Sequence, residues 1–332
     1  MTLPPPRENE ILIGHAAAEA DMLAAMRGNR MHHAWLITGP EGIGKATLAY
    51  RFARRLFSGI HSGDDLSLPA SNPVFKRVAA GTHADLLTIE REWDDKKKRM
   101  REGIVIETIR KVPQFLHLTP AEGGWRVVII DGAEHMNRNA ANAVLKMLEE
   151  PPNRAILLLV CATPGRLLPT IRSRCRTLGL QPLDDAAMET LLRIALPEGS
   201  AAERARLISL SEGSPGRALA LAQSGGMALS EKAADIISQL PALDLAAAVD
   251  LADSLAAGEG AYSNFMDLLR HNLAAEVRAA ARGAPSRLAS IRSAGAWVEI
   301  WQSLNRLQQD TEQLNLDKRQ ALIQALVLLS AP

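Results

Sequence analysis

Cysteine is nearly absent from this sequence. The 332 residues hold two, Cys161 and Cys175, and neither belongs to a Cys-x-x-Cys pair. That count excludes a disulfide framework and a zinc site built from four thiolates. It suits a reducing, cytoplasmic setting. A charge excess is missing as well. There are 38 lysines and arginines against 37 acidic residues, a net charge of +1. Global electrostatics therefore argues for no particular partner, and any nucleic-acid contact would need a local patch. No apolar run reaches the roughly 18 residues of a membrane span. The first residues, Met1-Thr-Leu-Pro-Pro-Pro-Arg7, lack an apolar signal core. Low-complexity sequence is absent too. A chain that is 47% hydrophobic and 23% charged is expected to be a soluble protein of two or three domains.

What is present is centred on Ala34 to Ala49. The apolar run Trp35 to Ile37 reads as a buried strand. Gly39, Gly42 and Gly44 follow, then Lys45, and a helical pattern begins at once with Leu48, Ala49, Phe52, Ala53 and Leu56. Strand, glycine loop and helix in that order make a phosphate loop. The glycines let backbone N–H groups turn inward on an anion, the helix N-terminus adds partial positive charge, and Lys45 would reach the outer phosphates. One position departs from the motif. The metal-binding hydroxyl expected after the lysine is replaced by Ala46, and the nearest hydroxyl is on Thr47. A helix turns about 100° per residue, so Thr47 should not aim where residue 46 would. The reading is a phosphate loop that has lost its metal ligand.

Around this loop the chain alternates strands and helices. Residues 1–10 read as a loose tail. Asp85 to Ile89, Arg126 to Asp131, Ala155 to Ala162 and Arg176 to Leu180 read as further strands. Asn137 caps a helix over 138–150 that Pro151 and Pro152 end. A helix over 105–116 is shortened by Pro113. Asp131, at the carboxyl end of its strand, falls in the crevice where open parallel sheets bind ligands. The pattern predicts an α/β domain with a five-stranded, mainly parallel sheet covered on both faces. The basic run in Trp93 to Glu102 reads as a solvated hairpin or loop. His32 and His33 lack further spaced ligands, so no metal site is expected there.

Buried strand runs end after Leu180. Three short helices follow over 184–195, 201–211 and 215–222, the last capped by Ser214 with Pro215 at its first position. Gly225-Gly226 marks a boundary. Beyond it the chain is helical. Phe265, Leu269, Leu273 and Val277 form one stripe, and Trp297, Ile300, Trp301, Leu304 and Leu307 another; both are expected to be bundle core. The division expected is residues 1–180 for the phosphate-loop domain, 181–226 for a helical lid and 227–332 for a helical collar.

Together the residues resemble the clamp-loader branch of the AAA+ proteins, most closely the delta-prime family of bacterial DNA polymerase III. The resemblance is carried by His33-Ala34, by Gly39-Pro-Glu-Gly-Ile-Gly-Lys45, by Ala140-Ala-Asn-Ala-Val-Leu-Lys-Met-Leu-Glu-Glu-Pro-Pro152 and by Thr170-Ile-Arg-Ser-Arg-Cys175. It implies that Gly39, Gly42, Gly44 and Lys45 are the Walker A loop, with Ala46 in place of its hydroxyl and Thr47 beside it. It implies that Asp131 is the Walker B aspartate, with Gly132 where the water-activating glutamate belongs. Glu134, two places on, is not expected to substitute. The sensor position after the fourth strand falls near Ala162 or Thr163. Arg217 resembles the second sensor arginine, and Arg174 the arginine finger given to a neighbouring subunit. Many members carry a four-cysteine zinc module, but Phe57 to Gly81 has no cysteine, so zinc is not expected.

Hydrolysis needs a metal on the phosphates and a residue that orients water. Ala46 weakens the first and Gly132 removes the second. The resemblance therefore implies a subunit without ATPase activity of its own, with ATP or ADP at most bound and not cleaved. It would work within the polymerase III holoenzyme, beside ATPase subunits of the tau/gamma kind and a delta-like subunit, to load a sliding clamp on primed DNA. The competing readings are a working AAA+ ATPase, either a clamp-loader motor or a remodelling protein, and a small-molecule P-loop kinase. The helical lid and bundle argue against the kinase.

Overall fold

The computed structural model describes residues 3–28, 31–60, 62–94, 99–101, 103–122, 124–223, 225–256, 260–283, 286–314 and 316–330. The chain forms two compact units, Met1–Arg217 and Ala218–Pro332. In the first unit α1 (Ala16–Arg27) leads into β1 (Ala34–Thr38), and α2 (Lys45–Ser58) follows the glycine loop. Next come α3 (Pro73–Ala79), β2 (Leu86–Ile89), β3 (Trp93–Asp94), β4 (Arg99–Met100), α4 (Ile106–Ile109) and α5 (Lys111–His117). Then follow β5 (Arg126–Asp131), α6 (Arg138–Glu149), β6 (Ala155–Cys161), α7 (Pro169–Arg172), β7 (Arg176–Gly179), α8 (Asp185–Ala195) and α9 (Ala201–Ser211). Helix α10 (Pro215–Gln223) runs across the division.

The five longer strands form one parallel sheet in the order β2-β5-β6-β1-β7. The fold class is α/β, as the sequence predicts. The inner strands β1, β5 and β6 are buried on both faces, which is why they read as unbroken apolar runs, whereas the edge strand β7 buries only Leu178. Along β6, Ile156 and Leu158 join Trp35, Phe52 and Val127 on one face. Leu157 and Leu159 join Leu36, Val128 and Val144 on the other. Asn137 caps α6, its Oδ1 accepting the Ala140 N–H at 2.9 Å. β3 and β4 pair antiparallel in a separate ribbon. The expected hairpin over 93–102 is therefore present in its strands, while residues 95–98 and 102 lie outside the described residues.

Three expectations are corrected. The single helix over 105–116 is two, with α4 ending at Ile109. Pro113 has no N–H to return to Ile109, so the ladder cannot run through. A helix not foreseen, α3, begins at Pro73, and Asn72 Oδ1 accepts the Val74 N–H at 2.8 Å. The tail is not loose from Arg7 to Glu10. Arg54 donates to the carbonyls of Asn9 at 2.7 Å and Arg7 at 3.3 Å, and Arg51 donates to that of Glu10. Arg51 also pairs with Glu19 of α1 at 2.8 Å, with both side chains buried. Burial lowers the Arg54 guanidinium to about 10, and it stacks over Phe75 at 4.2 Å.

The second unit is helical throughout its described residues: α11 (Gly226–Gln239), α12 (Leu245–Ala256), α13 (Ala261–Ala281), α14 (Arg287–Ile291), α15 (Ala294–Gln313) and α16 (Lys318–Ser330). Helix α13 packs against α11 and α15, and α12 against α16. Tyr262, Phe265, Leu269 and Leu273 of α13 are buried, as are Trp297 and Leu304 of α15. Trp301 departs from the expected core stripe. It is exposed, and Arg270 lies over its ring at 5.8 Å. Among the described residues no helix is long and apolar enough to cross a membrane.

Candidate functional site

The loop between β1 and α2 carries the conformation its glycines allow. Gly39, Gly42 and Gly44 have φ of +140°, +75° and +107°, which other residues rarely adopt. At Gly42 the need is also steric, because a Cβ there would lie 2.6 Å from Ser214 Oγ and 3.1 Å from Gly216 Cα. His15 Nε2 donates to the Ile43 carbonyl at 2.7 Å, which pins the loop from the N-terminal side. Lys45 is buried. Its Nζ donates to the carbonyls of Gly39 at 2.8 Å and Pro40 at 2.6 Å, so the amine is turned back on its own loop. Thr47 is buried in α2.

Acidic groups face this lysine from the ends of neighbouring strands. Burial lowers the Lys45 amine, while the carboxylates of Glu134, Glu41 and Asp131, in falling order, favour its charge. Asp131 ends β5. Burial pushes its carboxyl above the ordinary carboxylate range, Glu90 adds to this, and Lys45 opposes it. Gly132 follows at φ +73°, and a Cβ there would lie 2.9 Å from His135 Cδ2. A glutamate at 132 would thus meet both backbone strain and His135. Glu134 instead reaches across to the end of β6, where its Oε1 accepts the Ala162 N–H at 2.8 Å. Burial, then Glu134, pushes the Cys161 thiol up to about 12. At the sensor position Ala162 is half-buried and Thr163 exposed.

The first turn of α10 closes on the loop. Gly216 N–H donates to the Gly42 carbonyl at 2.9 Å. Ser214 Oγ donates to the Glu41 carbonyl at 2.8 Å and accepts the Arg217 N–H at 3.2 Å. Ser214 therefore caps the helix and ties it to the loop with one hydroxyl. The Arg217 guanidinium is 3.4 Å from Glu212.

Arg174 lies elsewhere. It precedes β7, whose first residue, Arg176, pairs with Trp35 near the start of β1. The glycine loop leaves the far end of β1. In a parallel sheet these are opposite edges, separated by a strand length of about 15 Å. Arg174 Nη2 is 2.9 Å from Glu149 at the end of α6, and Nη1 donates to the Thr170 carbonyl at 3.1 Å. Its side chain is 37% exposed.

Of the residues the sequence singles out, the structure gathers Gly39, Gly42, Gly44, Lys45, Asp131 and the backbone of Arg217 into one crevice. Thr47 is withdrawn into α2, and Arg174 is on the opposite edge. Sequence reasoning missed His15, Gly216 and the reach of Glu134. Gly213-Ser-Pro-Gly-Arg217 held a signal for Gly216, since two glycines around a cap suggest close backbone approach. The crevice has the curl of a phosphate loop. It fits a metal-bound nucleotide poorly, because the hydroxyl is lost at Ala46 and the lysine is engaged by carbonyls. Among the described residues no group of three or more His, Cys, Asp or Glu is placed to hold a metal ion.

Comparison with known proteins bears on the family of this chain. The family model described as "DNA polymerase III, delta subunit" matches residues 14–184, just over half of the chain. The DNA polymerase III subunit delta' of Pseudomonas aeruginosa is 38% identical over 213 residues, 63% of this chain and 61% of that protein. The subunit delta' of Escherichia coli K12 is 34% identical over 61% of this chain and 58% of its own length. The subunit tau of E. coli K12 is 30% identical over 70% of this chain and 35% of its own. The chain thus spans less than two thirds of the length of these relatives. The matched span holds the glycine loop, Asp131 and Arg174, and on it the chain belongs to the DNA polymerase III delta subunit family.

Proposed function

We propose that this chain is a clamp-loader subunit of the delta-prime kind. It does not hydrolyse ATP itself, and it supplies Arg174 to nucleotide held by a neighbouring subunit. The observation that carries the reading is a contrast between two edges of one sheet. At one edge the lysine of the glycine loop is bonded to its own carbonyls, with Ala46 and Gly132 where a metal ligand and a water-orienting acid would stand. At the other edge Arg174 is half-exposed and out of reach of that loop. Its tether to Glu149 is a surface pair, worth about 0–1 kcal/mol, so release onto a stronger anion costs little. A guanidinium stays charged and forks onto phosphate oxygens, and such a finger in trans is worth roughly 10³- to 10⁵-fold in rate.

The proposed partners are ATPase subunits of the tau/gamma kind and a delta-like subunit in a hetero-oligomeric ring, together with the sliding clamp. Primed DNA is engaged through the complex. In this reading residues 181–226 act as the lid and 227–332 as the collar through which the ring assembles. Nucleotide, where taken, is held without cleavage, and zinc has no part. Phosphate release by the purified chain tests the first half. The expected rate equals that of a Lys45→Ala control, and release well above that control contradicts it. That second outcome would favour the competing reading of a working ATPase. One observation speaks for it: Glu134 is the carboxylate that acts most strongly on Lys45.

A further inference from the structure

We propose that a groove between α11 and α12, in the helical unit, is the docking site for a cationic amphipathic helix of a partner protein. The inference goes beyond the reading of Arg174 and does not rest on it. Helix α11 packs on α13, and α12 packs on α13 and α16. The groove between α11 and α12 has a volume of about 440 Å³. On α11 it is lined by Lys232 and by Asp235, Ile236 and Gln239, which lie three, four and seven residues further on. That spacing is one face of a helix. Asp244, just before α12, and Ala247, Ala248 and Leu251 within it repeat the same spacing. At 1.5 Å per residue each wall runs for about 10 Å, or two turns. The floor is apolar. Ile236 and Leu251 are half-buried, and Leu326 of α16 is buried beneath them. Two parallel-sided walls over an apolar floor seat the apolar face of a helix.

Charge selects the partner. In a chain of net charge +1, the stretch from Gly226 to Ala256 holds five acidic residues and one basic residue, Lys232. Two of the acids are engaged. Asp253 pairs with Arg319 of α16. Asp244 Oδ1 accepts the N–H groups of Ala246 at 2.9 Å and Ala247 at 3.3 Å. Asp235 and Asp250 are exposed, one on each wall of the groove. Among the described residues no cation pairs with either. A helix with leucine-like side chains on one face and lysine or arginine beside them answers both features. Its apolar face meets the floor, and its cations meet the carboxylates at the rim. An acidic helix, or a ligand bearing phosphate, meets charge of its own sign there. The alanines at 247 and 248 keep the α12 wall low, so the partner backbone can come close.

The test is fluorescence anisotropy of a labelled peptide of about 18 residues, built from leucine and lysine at helical spacing and titrated with the full chain at low and high salt. Saturable binding that weakens as salt rises is expected. The same peptide with glutamate for lysine should not bind, nor should one of the same composition ordered without an apolar helix face. The double variant Asp235→Lys with Asp250→Lys changes exposed side chains only and should lose at least about tenfold. Ala247→Trp, also at an exposed position, fills the groove and should lose a similar factor. Glu107→Lys with Glu198→Lys makes the same change of charge on exposed residues of the other unit and should bind as the parent does. The proposal is overturned by no saturable binding, by equal binding of the glutamate peptide, by parent-level binding in the two groove variants, or by an equal loss in the Glu107 and Glu198 control. It is overturned as well if the parent chain runs as a dimer in size exclusion and the Asp235 and Asp250 variant as a monomer, which would put a second copy in the groove.

Discussion

Asp131 shows how a single buried group sets a pH dependence. Burial raises its carboxyl above the ordinary range, so the folded chain favours the protonated form. The stability this gives is complete below the unfolded carboxyl value and is lost as pH rises through the folded one. Near neutral pH the charged Asp131 therefore opposes folding. Asp131→Asn is expected to melt at or above the parent temperature near neutral pH, and the difference should shrink as pH falls into the carboxyl range. A lower melting point near neutral pH would contradict this. The two thiols give a second prediction. Cys161 and Cys175 are both raised to about 12, chiefly by burial, so little thiolate exists at about pH 8. Alkylation should be slow in the native chain and fast after unfolding, and rapid native labelling of Cys175 would refute the account. At this scale the phosphate loop was legible, because glycine spacing is a local property. The reach of Glu134 was not, since it depends on how the ends of β5 and β6 lie side by side.

Among the elements, α2 bears the most unusual composition. Arg51, Arg54 and Arg55 are all buried, and arginine is rarely so buried unless it is partnered. Their donors hold the carbonyls of Arg7, Asn9 and Glu10 and, through Arg55, those of Ser62 and Ser67. That long-range pairing is why the segment at Arg7–Glu10 could not be recognised as ordered from its own residues. Removing one partner of a buried pair leaves an uncompensated charge. Arg51→Met should cost about 3–5 kcal/mol by urea unfolding, and adding Glu19→Leu should recover much of it. A loss under about 1 kcal/mol would mean the pair is not buried as described. The inner strands β1, β5 and β6 were legible within a residue or two because burial on both faces writes a continuous apolar run. The break at Arg110 was half legible from Pro113. Helix α3 was signalled by Asn72-Pro73, a cap followed by a proline at the first helical position, but the surrounding polar residues masked it.

On the scale of the whole molecule the chain separates into a sheet-bearing unit and a helical unit, and the collar proposed over 227–332 lies wholly within the second. A chain ending at Gly226 should keep the cooperative unfolding of its own core yet fail to enter a complex with ATPase partners in size exclusion. Normal assembly would contradict the collar role given to residues 227–332. The central claim is that Arg174 acts on a neighbour's nucleotide, and ATPase of the reconstituted complex tests it most directly. With Arg174→Ala the complex should still assemble, while its DNA- and clamp-stimulated ATP hydrolysis should fall by at least about tenfold at one site. Arg174→Lys should rescue little, because an ammonium keeps the charge and loses the fork. Hydrolysis and clamp loading at the parent rate in the Arg174→Ala complex would contradict the claim.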